Sequence, residues 1–478
     1  MSWDSEHVPQ HRGRHKATRP DQVGRALKRA LLATLGPAVV LGIGAFVLVK
    51  VASRKTIDLF LDPDQLMMLV LAIGIVWLMW VVFILRTYAR NRADVVSSAA
   101  RLGGAFLVVV MCGAVTAPMA YAGYVAAVQR DLILKVFPDD GGSATTPDVT
   151  KENPWGNRKR VNVLLLGGDG SIHRPGVRTD SVMLASINTK TGKTVLFSLP
   201  RNLQNVPFQP GSKLAELYPN GFTDGTPNNA EFFLNAVYRN VPAVHPGVLG
   251  KTANEGADAI KLAVAGALGI PVDYYVLVNL SGFSKLVDAM GGITVNINER
   301  VPIGGNTDAH ILPDDYLEPG PNQRLNGFNA LWYTRGRYGS TDYKRMERQR
   351  CAINAIAAEA SPTKMLTRYT KLAKASKQIV RTDIPQELLS AFVDLATLVK
   401  GKPMKSVGFE RSADFDPNAP DFEFVHAAVK AALRPAKKAA GTPTGTPTNG
   451  TANTSKSPSK GSNTKDDCAY NPSTNTAG

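Results

Sequence analysis

Three long apolar runs lie close together near the start of the chain and constrain it more than any other feature: Leu31 to Val51, Gln65 to Leu85, and Gly103 to Ala127. Each exceeds the ~18 apolar residues that mark a helix able to cross a bilayer core. The first follows a polar, basic stretch and is succeeded by two more runs, which does not suit a cleaved signal peptide. Positive charge orients the spans. Arg12, Arg14, Lys16, Arg19, Arg25, Lys28 and Arg29 precede the first, and the second connection carries Arg86, Arg90, Arg92 and Arg101 against one acid, Asp94, so both are placed in the cytoplasm. In the first connection Lys50, Arg54 and Lys55 are offset by Asp58, Asp62 and Asp64, which suits the outer side.

Three crossings from an inside start place the rest of the chain outside. The expected organisation is a basic cytoplasmic tail over residues 1–30, three transmembrane helices over 31–127, a linker over 128–160, an extracytoplasmic domain over 161–434, and a low-complexity, disordered tail over 435–478. The net charge of +16 in 478 residues calls for an anionic partner. Outside the cell a chromosome and cytosolic nucleotides are out of reach. Nucleic acid is therefore not expected, and lipid-linked phosphate, wall polymer and headgroups remain. Cys112, Cys351 and Cys468 show no spacing that a zinc site would need.

Asp139 to Arg160 is rich in Gly, Pro, Ser and Thr and reads as a linker that lifts the next domain off the bilayer. "VNVLLLGG", from Val161, has the continuous apolar character of a strand buried on both faces. Two strands around the turn "NTKTGK" predict a hairpin. After a loop of low order over Phe208 to Asn229, helices are expected at Ala230 to Arg239 and Ala253 to Leu268. "VDYYVLVNL" is a strand, "SGFSKLVDAM" a helix with Ser281 as N-cap, and "GGITVNIN" another strand; helices follow near 341–360, 362–377 and 384–400. Interleaved strands and helices predict an α/β fold, an α/β/α sandwich around a central mixed sheet.

Four places carry polar groups that a scaffold does not require. Asp169 follows a buried strand in "GGDG", and Arg178 and Asp180 open the next in "RTD". Ligands commonly bind beyond the ends of buried strands, although singly these residues read better as a turn residue and a solvated ion pair. Arg201 ends a strand in "SLPRN". The fourth place is "YTRGRYGSTDYKRMERQR", residues 333–350, where arginine outnumbers lysine five to one. Planar guanidinium forks suit phosphate oxygens better than a solvated face requires. Arg335 and Arg337 alternate along an expected extended segment, and Asp342, Arg345 and Gln349 share one stripe of the following helix. Arg348 and Arg350 fall off that stripe and read as surface charges.

"VNVLLLGGD", "RTDSVMLASINTKTGKTVLFSLPRN", "DYYVLVNLSGFSKLVDAMGGITVNI" and "LNGFNALWYTRGRYGSTDYKRMERQR" stand in the order and approximate spacing of the LytR-CpsA-Psr family, which the chain resembles over about residues 161–360. The resemblance implies an extracytoplasmic phosphotransferase of the cell membrane that moves a glycopolymer from a polyprenyl diphosphate carrier to peptidoglycan; teichoic acid, arabinogalactan and capsule stay open as the polymer. It implies Mg²⁺ (or Mn²⁺) on Asp169 and Asp180. Arg178 and Arg201 match arginines of the same site, and Arg335, Arg337, Arg345 and Gln349 match a cluster that grips the diphosphate. Arg178, Asp180, Arg201 and Arg335 are the expected catalytic residues. Asn202 stands where the family usually has Asp, and Ser171 where it usually has Arg, so any role resting on a carboxylate at 202 is in doubt.

Hydrolysis of the same diphosphate, and a non-enzymatic wall-binding or attenuator protein, are the competing readings. The paired carboxylates favour catalysis, since a pure anion receptor gains nothing from acids beside its ligand. "AIKLAVAGALG" is either the lining of a prenyl tunnel or plain core. Pairing of Cys351 with Cys468 is left open, because nothing in the sequence sets their distance.

Overall fold

The computed structural model of the protein describes residues 58–92, 98–138, 142–169, 178–307, 309–359, 380–434, 462–463 and 468–472. The chain divides into two compact units, Met1–Phe60 with Asp64–Ala127, and Leu61–Pro63 with Val128–Gly478. The first holds helix α1 (Pro63–Arg92) and most of α2 (Ser98–Val136). Pro63–Arg90 and Leu102–Val136 are long and apolar enough to cross a membrane, with mean hydropathy 2.9 and 2.0. The two helices touch where Trp77 Nε1 donates to Thr116 Oγ1 at 2.9 Å. The run Leu31 to Val51 lies outside the described residues. Helix α2 does not stop at Ala127, the expected end of the third span, but continues to Val136.

The second unit is an α/β domain built on a mixed sheet. Its strands are β1 (Arg160–Asp169), β2 (Arg178–Asn188), β3 (Thr194–Leu199), β4 (Tyr274–Asn279), β9 (Val380–Thr382), β10 (Lys405–Gly408) and β11 (Ser462–Asn463), in the order β11-β10-β3-β2-β1-β4-β9. β1 pairs antiparallel with β2 and parallel with β4, so it lies inside the sheet and has the unbroken apolar run such a position demands. β2 and β3 form the expected hairpin. Asn188 Oδ1 accepts from Lys190 N and Thr191 N in its turn, and Gly192 (φ +67) has no room for a Cβ, which would lie 2.3 Å from the Leu398 carbonyl oxygen.

Side-chain alternation sends Leu164, Leu166, Val182, Leu184 and Phe197 to one face. There they meet α4 (Leu234–Val244), α5 (Glu255–Leu268) and α10 (Phe422–Leu433). Val161, Val163 and Tyr274 face the opposite side, against Leu388 and α9 (Leu389–Val399). The "AIKLAVAGALG" stretch forms most of α5, whose residues from Gly256 to Leu268 are all buried in the core. A second, smaller core joins α6 (Leu280–Met290), β5 (Ile293–Ile297), β6 (Val301–Asn306), β7 (Ile311–Leu317), β8 (Gly320–Leu325), α7 (Gly327–Arg335) and α8 (Asp342–Glu359).

Several sequence expectations change. The region Phe208 to Asn229 is irregular but packed: it contains α3 (Lys213–Leu217), Gln209 N donates to the Leu262 carbonyl at 2.9 Å, Phe222 lies edge to face with both Phe208 and Tyr218, and all three rings pack in or against the core. Hydrophilic composition hid these aromatics. The N-cap of α6 is Asn279, accepting from Gly282 N at 2.8 Å, and not Ser281. Residues 142–160 do not hang free as a spacer. Ser143, Ala144, Thr145 and Thr252 all donate to the Asp258 carboxylate, and Thr146 donates to Asp383. The expected helix at 362–377 and most of the tail lie outside the described residues. The described part of the tail is not disordered: β11 pairs with β10, and Cys468 is disulfide-bonded to Cys351.

Candidate active site

β1, β2 and β3 bring four of the predicted positions, Asp169, Arg178, Asp180 and Arg201, to one end of the sheet. Gly167 pairs with Ser181 and Gly168 with Thr179, so Asp180 is the extra residue of a β-bulge and has no partner across the ladder. A bulge of this kind re-aims a side chain and is over-represented beside active sites. Asp169 ends β1 opposite Arg178. Arg201 follows the end of β3, and its backbone carbonyl accepts from Asn235 N at 3.0 Å, which fixes the turn on the start of α4.

Around Asp180 the charges interlock. Arg201 Nη1 donates to Asp180 Oδ1 at 2.8 Å, and Arg201 Nε lies 3.7 Å from Asp342 Oδ1. Arg345, 4% exposed, donates to the Asp180 carbonyl at 3.1 Å and pairs with Asp342 at 2.9 Å. Burial alone would raise the Asp180 carboxyl. The guanidinium groups of Arg201 and Arg345, with a hydrogen bond from Asn235, more than offset it and hold the group below the ordinary Asp value. Burial pulls the Arg345 guanidinium down, with Asp342 opposing it. Buried polar atoms without a hydrogen-bond partner occur on these residues and their neighbours: Thr179 Oγ1, Asn235 Oδ1 and Arg345 Nε. Folded proteins keep few such atoms, and a concentration of them marks a site that something else completes.

Arg335 and Arg337 do not lie on an extended segment. Arg335 is the last residue of α7, Gly336 is its C-cap, and Arg337 follows. Both arginines are exposed, and Arg335 lies over the Trp332 ring at 5.4 Å. The positive charge of Arg337 reaches Arg345 and depresses it further. The stripe of α8 forms as expected, yet Gln349 spends its amide on the Thr334 carbonyl at 3.1 Å. Arg348 and Arg350 are not surface charges. Both are 7% exposed: Arg348 donates to the Tyr333 carbonyl at 2.8 Å and to that of Gly336, and Arg350 pairs with Glu410 at 3.2 Å. Helical periodicity could not expose this, because the partners are backbone carbonyls of another element.

Arg178 is placed apart, pairing with Glu231 at 2.5 Å beside the 3₁₀ turn Ala230–Phe232. Asn202 shares the turn of Arg201, and Ser171 lies outside the described residues. The sequence reading missed Asn235, whose position in an apolar helix carries no signal, and assigned no role to Asp342. Among the described residues no three His, Cys, Asp or Glu side chains converge as a metal cage. The carboxylates of Asp180 and Asp342, paired with Arg201 and Arg345, are hard oxygen donors. Mg²⁺ is commonly held by one or two carboxylates plus substrate phosphate oxygens, so the donor set fits such an ion.

Comparison with known proteins follows the same region. The profile described as "LytR_cpsA_psr family" matches residues 139–433. Among curated relatives, "Biofilm regulatory protein A" of Streptococcus mutans serotype c is 30% identical over 256 residues, 52% of this chain and 55% of that protein. The "Polyisoprenyl-teichoic acid--peptidoglycan teichoic acid transferase TagU" of Bacillus cereus is 28% identical over 240 residues, 50% of this chain and 65% of that one. The chain thus spans between half and two thirds of the length of these relatives. The crystal structure of protein gbs0355 from Streptococcus agalactiae is 26% identical, covers 57% of this chain and 88% of its own, and gives a TM-score of 0.41.

Proposed function

We infer the function from this premise: the chain belongs to the LytR_cpsA_psr family. We propose that it is a phosphotransferase that moves a phosphoglycan from a polyprenyl diphosphate carrier to peptidoglycan, with its partners on the outer side of the membrane. A relative whose printed name is a teichoic acid transferase supports that class of reaction. The observation that carries the proposal is the arrangement at the strand ends: Arg201 and Arg345 interlock with Asp180 and Asp342, the charge of Arg337 reaches Arg345, and Arg337 and its neighbour Arg335 are exposed.

A diphosphate carries about two to three negative charges, and guanidinium forks hold such oxygens and offset the charge that builds on the leaving phosphate. Arg335 and Arg337 would take the phosphates first. Arg201 would be shared between Asp180 and the ligand, and Arg178 would exchange Glu231 for it. By the family resemblance Asp169 and Asp180 would hold Mg²⁺, with the Asp342 carboxylate as a further oxygen donor, and the ion would supply further neutralisation of phosphate oxygens. A peptidoglycan hydroxyl attacks the phosphorus that bears the glycan; the new P–O bond forms as the bond to the bridging oxygen breaks, and polyprenyl monophosphate leaves. Asp180 is paired with Arg201 and held ionised, which makes it an orienting group and a weak base. The first crossing, over Leu31 to Val51, and the outside placement of the domain belong to the proposal; the two apolar helices support anchoring in a membrane.

The test is transfer itself. The full chain in a bilayer, given polyprenyl diphosphate carrying a labelled glycan together with peptidoglycan, is expected to place label on the sedimented polymer and to release polyprenyl monophosphate. Release of labelled glycan into solution with none on the polymer would mean hydrolysis. Binding with no release would mean a receptor.

A further inference from the structure

Arg348 is a buried cation that the proposed chemistry does not use. Its guanidinium donates through Nε to the Tyr333 carbonyl at 2.8 Å and through Nη2 to the Gly336 carbonyl, and Nη1 lies 3.8 Å from Glu299. The neighbouring Gln349 donates to the Thr334 carbonyl. These are carbonyls of the last turn of α7 and of its cap, groups that a helix end leaves without intrahelical partners and where its dipole favours a cation. Gly336 N closes the turn on the Trp332 carbonyl at 2.7 Å. The same turn is wedged from the other side: a Cβ on Gly336 would lie 2.4 Å from the Pro302 carbonyl oxygen, and Tyr333 Oη donates to the Asn296 carbonyl at 3.2 Å.

The carbonyls that Arg348 grips lie on either side of Arg335, and Gly336 sits between Arg335 and Arg337 in sequence. Fixing the carbonyls of Tyr333, Thr334 and Gly336 in this way sets where the two exposed side chains start from. We propose that Arg348 is a positioning residue that presents Arg335 and Arg337 to a diphosphate at a fixed spacing, an inference that rests on the anion-binding reading of this site. Holding that turn pre-arranged removes an ordering cost from binding. Lysine cannot replace it, because a single ammonium does not span two carbonyls as a planar fork does.

The experiment is a double-mutant cycle on the full chain, with farnesyl diphosphate as the probe and calorimetric titration as the readout. Arg348→Lys is expected to weaken binding about tenfold, the scale of one lost charge-assisted hydrogen bond. In an Arg335→Ala background the same change is expected to cost less than about twofold, because the residue it positions is gone. If Arg348→Lys binds like the native protein, or if the two losses simply multiply, Arg348 does not act through Arg335 and the proposal is overturned. If the lysine protein melts below the assay temperature, Arg348→Gln, whose amide nitrogen sits about where Nε does and can keep the Tyr333 contact while losing that to Gly336, replaces it in the same cycle. A native protein that fails to bind farnesyl diphosphate would overturn the anion-binding reading and this inference together. A failure confined to the cycle would overturn this inference alone.

Discussion

Two networks of charged side chains lie in the same domain and differ in what they leave over. In the first, Lys261 pairs with Asp383 at 2.5 Å and donates to the Asp273 carbonyl, while Arg158 pairs with Asp273; Lys261 and Asp383 are 1% and 3% exposed. Asp383 also accepts from Tyr275 N at 2.7 Å and from Thr146, so its oxygens are filled from within. In the second, Arg201 and Arg345 pair with two carboxylates, Asp180 and Asp342, the charge of Arg337 reaches Arg345, Arg335 and Arg337 are exposed, and several buried atoms lack hydrogen-bond partners. The same residue type titrates in opposite directions in the two places. Burial raises Asp383 and Asp273, and their cations do not undo it, whereas the arginines around Asp180 overcome its burial and lower it. A saturated network holds a fold together; a network with surplus positive charge facing solvent is arranged for an anion.

The strongest way to break the contrast is to unbalance the closed network. Lys261→Met leaves Asp383 buried without its cation and is expected to cost about 3–5 kcal/mol, read as a loss of unfolding free energy in denaturant titration of the full chain. Next comes the open network. Arg335→Ala is expected to slow glycan transfer by about 10²–10³-fold with no change in melting temperature, since the side chain is exposed and its value lies in charge offset at the reacting phosphate. If transfer and melting fall together, the two networks do not differ in kind.

The disulfide sharpens the comparison at the helix that carries Arg345. Reduction of Cys351–Cys468, which closes a loop of sequence separation 117, is expected to lower stability by about 2–4 kcal/mol while farnesyl diphosphate affinity stays within about twofold. The smallest effect is the pH dependence of Asp180. Its folded-state value is depressed, so its stabilisation is present above the ordinary value of 3.8 and is lost as the pH falls through the lower folded-state value. The melting difference between native protein and Asp180→Asn is therefore expected to persist above that range and to vanish below it.

The sequence carried the fold where local pattern and tertiary role agree. The β1 run is apolar because it is flanked by β2 and β4, and the β2–β3 turn is legible from Asn188 and Gly192. It carried the site as residue identities: Asp180, Arg201 and Arg345 do converge. Geometry that depends on partners distant in the chain was not legible. The arginines at 348 and 350 looked like surface charge because their partners are carbonyls of α7 and Glu410. The strap at 142–160 looked like a spacer because its small hydroxyl residues have an acceptor, Asp258, more than a hundred residues away. Arg335 looked extended because "TRGR" ends a helix by a glycine whose fit depends on Pro302.

The central claim is that the surplus of guanidinium groups beside Asp180 is a phosphate site. A crystal structure of the chain soaked with farnesyl diphosphate tests it most directly. The account predicts both phosphates within hydrogen-bonding reach of Arg335 and Arg337, with Arg201 turned toward them. Phosphates seated away from these arginines, with Arg201 still closed on Asp180 and Asp342, would contradict it.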